Sequence, residues 1–175
     1  MLYLDNPENG LAPETSHPLF AAAATDAFWY SSMDDFSPFG NDTGNDTLRL
    51  LEEWLTQHGA KANVADFIRG LIRKWDLDEA YLAIDDAETM KQLHYDEDQF
   101  LNDAQDQAVL AAALGQLKIT GQLSAEGRQL AINAFQRQRA IAETAAADDT
   151  NPFRDAVPEY LERLAAMEAV FQKLT

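Results

Sequence analysis

The sequence predicts an all-α fold, a single globular domain of about six helices, on three observations. Apolar residues recur at steps of three and four through most of the chain, helix-capping residues stand where those runs begin, and no continuous run alternates with the period of two that a strand needs. At 175 residues the chain has the length of one domain, and with 46% hydrophobic residues it can bury a core.

Residues 1–17 carry Asn6-Pro7, Asn9-Gly10 and Pro13 and read as an extended arm. From Pro18, the residues Phe20, Ala24, Ala27 and Phe28 share a helical face, which predicts a first helix ending near Tyr30. Residues 31–46 are dense in Ser, Asp, Asn, Gly and Pro and predict a structured loop. In it Gly40 and Gly44 are expected to supply turns with positive φ, and Asn45 or Asp46 to cap a helix starting near Thr47. That helix presents Leu48, Leu51 and Leu55 on one face and stops at Gly59. Asn63 and Asp66 have the spacing of a capping box, and Val64, Phe67, Ile68, Leu71, Ile72 and Trp75 follow without breaking the 3.6-residue period. Residues 18–75 thus form a first block of helices.

From Asp76 to Asp106 the composition changes: eleven acids face one base, Lys91. Asp96 is placed to cap a long helix running to about Ile119, whose stretch Ala108 to Leu114 is apolar all round and belongs at the centre of the fold. Thr120-Gly121 breaks the helix and Ser124 restarts it, so residues 107–175 read as a helical hairpin followed by a last helix opened by Pro158.

Charge narrows the classes of partner. Thirty acids against thirteen bases give a net charge of -17, which repels phosphate backbones and anionic lipid and disfavours direct nucleic-acid or membrane binding. No run approaches the roughly 20 apolar residues of a membrane span. The N-terminus lacks the basic and apolar regions of a signal peptide, and the chain has no cysteine, so a reducing cytoplasm is the expected location.

Two constellations stand out. In the loop, Asp34, Asp35, Asp42 and Asp46 are either turn-forming and capping residues or a loop that binds a hard cation, because closely spaced carboxylates repel unless something neutralises them. An EF-hand fails, since Thr47 stands where the tight turn needs glycine. In the acidic segment, Asp76, Asp78, Glu79, Asp85, Asp86, Glu88, Tyr95, Asp96 and Asp98 make either a solvated face or a surface that docks a basic protein, with aromatic residues interleaved as anchors. Glu14-x-x-His17 has no second copy to complete a di-iron site, and no zinc-protease, serine-hydrolase or phosphate-loop motif occurs. Asp103-x-x-Asp106 and Glu159-x-x-Glu162 keep open an all-α magnesium-dependent hydrolase of the nucleotide pyrophosphohydrolase kind. No cofactor is implied and no oligomeric state is set.

The stretch Pro38-Phe-Gly-Asn-Asp-x-Gly-x-Asp46, preceded by an aromatic-rich helix and an Asp pair and followed by a Leu-rich helix, resembles the YfeS-type bacterial family over about residues 17–58. The shorter phrase Pro-Phe-x-Asn-Asp also resembles small bacterial domains of toxin and immunity gene neighbourhoods. That second resemblance implies an immunity-type inhibitor of a basic toxin. The expectation is therefore a non-enzymatic acidic protein-binding domain; the alternatives are the magnesium-dependent hydrolase and a nucleic-acid mimic.

Overall fold

The computed structural model describes residues 1–93 and 104–175. Its axis is α5 (Ala104–Thr120), where every residue from Ala108 to Thr120 is buried. A helix apolar on all sides has no face to give to water, so the other helices wrap it. Against it pack α2 (Asp42–His58), α3 (Val64–Lys74) and α6 (Ala125–Ala147), while α7 (Val157–Leu174) packs on α6 and on the short α1 (Pro18–Ala23). A one-turn helix, α4 (Ala87–Met90), rests on α6. Among the described residues there are seven α-helices and no strand, and none of the helices is long and apolar enough to cross a membrane.

Gly115 of α5 explains how closely α2 approaches it. A Cβ there would lie 2.9 Å from Leu51 and 3.2 Å from Leu48, so α2 lays its leucine face directly on the backbone of α5. The same core cluster holds the rings of Phe20, Phe28, Trp29, Phe39, Phe135 and Phe171. Burying each such ring contributes on the order of 1.5–3 kcal/mol.

The expected first helix is two pieces. α1 ends at Ala23, Ala24 leaves helical geometry at φ -93°, ψ 73°, and a 3₁₀ turn over Ala27–Tyr30 brings Phe28 and Trp29 into the core. The helix expected near Thr47 begins five residues earlier, at Asp42, because Asn41 is its cap: its side-chain oxygen accepts the Gly44 N–H at 2.8 Å. Gly40 and Gly44 do not supply positive φ, which among the described residues is confined to Gly10, Gly59, Gly121 and Asp76. They are small because the loop crosses itself: a Cβ on Gly40 would strike the carbonyl oxygen of Asp34, and one on Gly44 that of Pro38.

Other caps stand where the sequence places them, although the expected capping box of Asn63 and Asp66 reduces to the Asn63 cap. Asn63 caps α3 through the Ala65 N–H at 3.2 Å, Ser124 caps α6 through the Gly127 N–H at 3.1 Å, and Gly121 turns the hairpin at φ 68°. The expected cap Asp96 lies outside the described residues.

The N-terminal arm is docked rather than loose. The Tyr3 N–H donates to Ile119 at 3.0 Å, the His17 N–H to Lys118 at 2.6 Å, and a 3₁₀ turn spans Pro13–Thr15. Lys118, fully buried, donates to the Asp5 carboxylate at 2.7 Å and the Thr15 carbonyl at 3.1 Å, with Glu52 of α2 at 3.8 Å.

Candidate functional site

After Asp76, which takes the left-handed conformation at φ 57° to end the connection from α3, the acidic segment folds as a 3₁₀ turn over Glu79–Ala83 and then α4. Leu82 and Met90 enter the interior and Leu93 packs on the core. The segment is thus an ordered ledge with an apolar underside. Asp76, Asp78, Asp85, Asp86 and Glu88 are exposed.

Two of these acids also hold the backbone. Asp78 accepts the Ala80 N–H at 2.9 Å and caps the 3₁₀ turn, and Asp86 accepts the Thr89 N–H at 2.8 Å and caps α4. The Thr89 backbone N–H holds the Asp86 carboxyl below the usual carboxylate range. Glu79 departs from the expected free face. It is half-buried, accepts from Arg73 at 3.0 Å and lies 4.0 Å from Arg69, so its charge is neutralised within the fold. Tyr95, Asp96 and Asp98 lie outside the described residues.

What anchors the ledge is a buried polar network that the pattern of exposed acids did not announce. Asp106, counted in sequence with the solvated run, is fully buried. Its Oδ1 accepts from Arg137 at 2.9 and 2.6 Å, and its Oδ2 from Gln138 at 3.1 Å and from the Tyr81 hydroxyl at 3.0 Å. The Tyr160 hydroxyl closes the chain by donating to Gln138 at 2.6 Å. Arg137, also fully buried, donates its remaining terminal nitrogen to the Ile84 carbonyl at 2.8 Å and lies over the Tyr81 ring at 4.9 Å. One guanidinium therefore ties the ledge, through Ile84 and Tyr81, to α5 and α6. The signal in the sequence is positional: Arg137 falls on the apolar face of α6, between Ala134 and Ile141, where a cation must find a partner inside.

The same network commits Asp106, half of the Asp103-x-x-Asp106 pair, to internal donors. Of the other pair, Glu159 and Glu162 are exposed on α7, and Glu159 lies 3.7 Å from Arg163. Among the described residues no group of three or more His, Asp or Glu side chains is placed to hold a metal ion.

The four loop aspartates divide. Asp34 turns the chain by accepting the Phe36 N–H at 3.0 Å and pairs with Arg163 at 3.4 Å, and the guanidinium of Arg163 covers the Phe28 ring at 4.7 Å. Asp35 is exposed; Asp42 stands in the first turn of α2 and Asp46 one turn further, both exposed. Phe39 is buried and Phe36 packs edge-on against Tyr160 at 5.3 Å, so the two rings fasten the loop to the core. In the loop it is Asn41, bonded to the Ser37 carbonyl at 3.0 Å and to Gly44, that organises the crossing, and not Asn45 or Asp46.

No family model matches the chain and no solved structure matches it. It is similar to the Escherichia coli K12 protein YfeS, described as uncharacterized, with 33% identity over 144 residues. That match takes in 80% of this chain and 57% of the YfeS chain, so the chain spans a little over half the length of the relative. The similarity is longer than the stretch 17–58 and supports a YfeS-type relationship over the matched residues.

Proposed function

We propose that this chain is a non-enzymatic binding domain, acting in the cytoplasm, that engages a basic protein partner through its acidic ledge, in the manner of an immunity-type inhibitor. The observation that supports the reading is the fastening of the ledge: Asp76, Asp78, Asp85, Asp86 and Glu88 project from backbone held by Arg137 at Ile84 and by Tyr81 at Asp106. Carboxylates presented on a fixed backbone lose less conformational entropy when a partner arrives, and a field of one sign raises the encounter rate and selects against acidic competitors.

The test is capture of partners from the source cytoplasm, followed by association rates against the captured protein at low and high salt. Replacing Asp85 and Asp86 with Asn and Glu88 with Gln removes three charges at nearly constant volume. Asn is itself a good cap, so α4 should survive the change. The triple variant is expected to associate more slowly and with a shallower salt dependence. An unchanged rate and slope would show that these are ordinary solvated charges.

A further inference from the structure

On a different part of the molecule, α2 and α3 leave a groove of about 250 Å³. Its apolar lining is Leu50 and Trp54 from α2 and Phe67 and Leu71 from α3, with the Trp54 and Phe67 rings 5.5 Å apart. A cavity of roughly 150 Å³ is enough to hold a benzene ring, so this one has room for a Phe or Leu side chain.

Gly70 also lines the groove, and it stands in the interior of α3. Glycine is the weakest ordinary helix former, so an interior glycine is normally there for close packing. Here a Cβ would meet nothing within 4 Å, in contrast to Gly115, where α2 presses on the backbone. Packing within the chain does not require Gly70. What a side chain at this position would take up is the open space of the groove.

Charge selects the occupant. Glu53 and Asp66 are exposed on the groove from its two helices, with Lys74 at the C-terminal end of α3. A second copy of the chain would set -17 against -17, so self-association through this groove is opposed. We infer that the α2–α3 groove is a docking pocket for one apolar side chain flanked by basic residues on a protein partner. The inference rests on the reading that the partner is basic.

The probe is the peptide acetyl-Lys-Lys-Phe-Lys-Lys-amide, with versions carrying Ala for Phe or Glu for every Lys, titrated into the ¹⁵N-labelled full chain. The Phe peptide should move the Gly70 amide and Trp54 indole signals and bind roughly tenfold or more tightly than the Ala peptide, the difference expected for burying one ring. The Glu peptide should be weaker still. Gly70→Leu, whose Cβ would meet nothing within 4 Å, adds a side chain at the groove and should weaken the Phe peptide roughly tenfold, as the pocket no longer admits the ring.

Equal binding of the Phe and Ala peptides, shifts away from Gly70 and Trp54, or unchanged binding by Gly70→Leu would each overturn the proposal. The wild-type shift map decides even if that variant folds poorly. The two readings separate cleanly. Peptide binding lost in the Asp85, Asp86, Glu88 triple variant but kept in Gly70→Leu would sink the groove and leave the ledge. Groove binding kept in the triple variant, alongside an unchanged association rate with the captured partner, would sink the ledge and leave the groove.

Discussion

Arg137 and Asp106 show how a single pair can decide the state of a surface loop. Both are fully buried, and desolvating two charges offsets much of their attraction, so the pair adds little net stability over an apolar pair of similar size. Breaking it is another matter. Asp106→Ala leaves a buried guanidinium with no carboxylate and should cost about 3–5 kcal/mol in urea denaturation. The double replacement Asp106→Leu with Arg137→Met should recover a large part of that loss, since no buried charge is left alone. Even then the Ile84 carbonyl would lose its donor, and amide exchange in residues 79–90 should rise in the double variant although global stability is restored. Equal costs for the single and double replacements would show that packing, not charge pairing, dominates the site. Lys118 repeats the logic at the N-terminal arm, with Asp5, Thr15 and Glu52 as its partners. Neither network could be placed from the sequence: an isolated cation on an apolar face shows that a partner exists, but the partner of Arg137 is 31 residues away and that of Lys118 is 113 residues away.

At the scale of the element, most of what the sequence made legible was periodic. Helices α3, α6 and α7 were readable because their apolar faces keep the 3.6-residue period and their starts carry Asn63, Ser124 and Pro158. The start of α2 lies five residues before the Thr47 start that the sequence predicts, because two signals compete. Gly44 looks like a turn residue and is a helical residue chosen for closeness, and Asn41 looks like loop composition and is the cap. Sequence shows that a glycine is small; only the fold shows whether smallness or positive φ is being used.

Whether smallness itself is being used can be measured on two helical glycines, neither of which has positive φ. Gly70→Ala should stabilise the chain by up to about 1 kcal/mol, because helix propensity improves and the new methyl meets nothing. Gly44→Ala should destabilise it, because the same propensity gain is outweighed by a collision with the Pro38 carbonyl, a backbone atom that cannot move without opening the loop crossing. Urea midpoints moving in the same direction for the two variants would refute this account of the glycines.

At the scale of the whole molecule the dominant fact is a charge of -17 wrapped around a buried central helix whose two charges, Asp106 and Lys118, are paired inside the fold. Such a surplus repels itself more in the compact state than in the expanded one, so it works against folding. Two conditions should relieve it. Raising sodium chloride from about 0.05 to 0.5 M at pH 7 shortens the screening length from roughly 14 to 4 Å and should raise the urea midpoint. Lowering the pH from 7 toward about 5 should act in the same direction through Glu52. Its carboxyl is pushed up by burial beside the arm, so its contribution to stability is present at low pH and is lost as pH rises through its folded value. Further acidification should reverse the gain. Asp86, held below the usual range by the Thr89 N–H, and Glu126, held there by Arg69, contribute stability that exists only while they are ionised, and it disappears as pH falls through their depressed values. The stability curve should therefore peak on the acid side of neutrality, and Glu52→Gln should flatten its descent between the peak and pH 7. A midpoint that falls with added salt, or a descent unaltered in Glu52→Gln, would mean that surface repulsion and the buried Glu52 do not set the pH response of this fold.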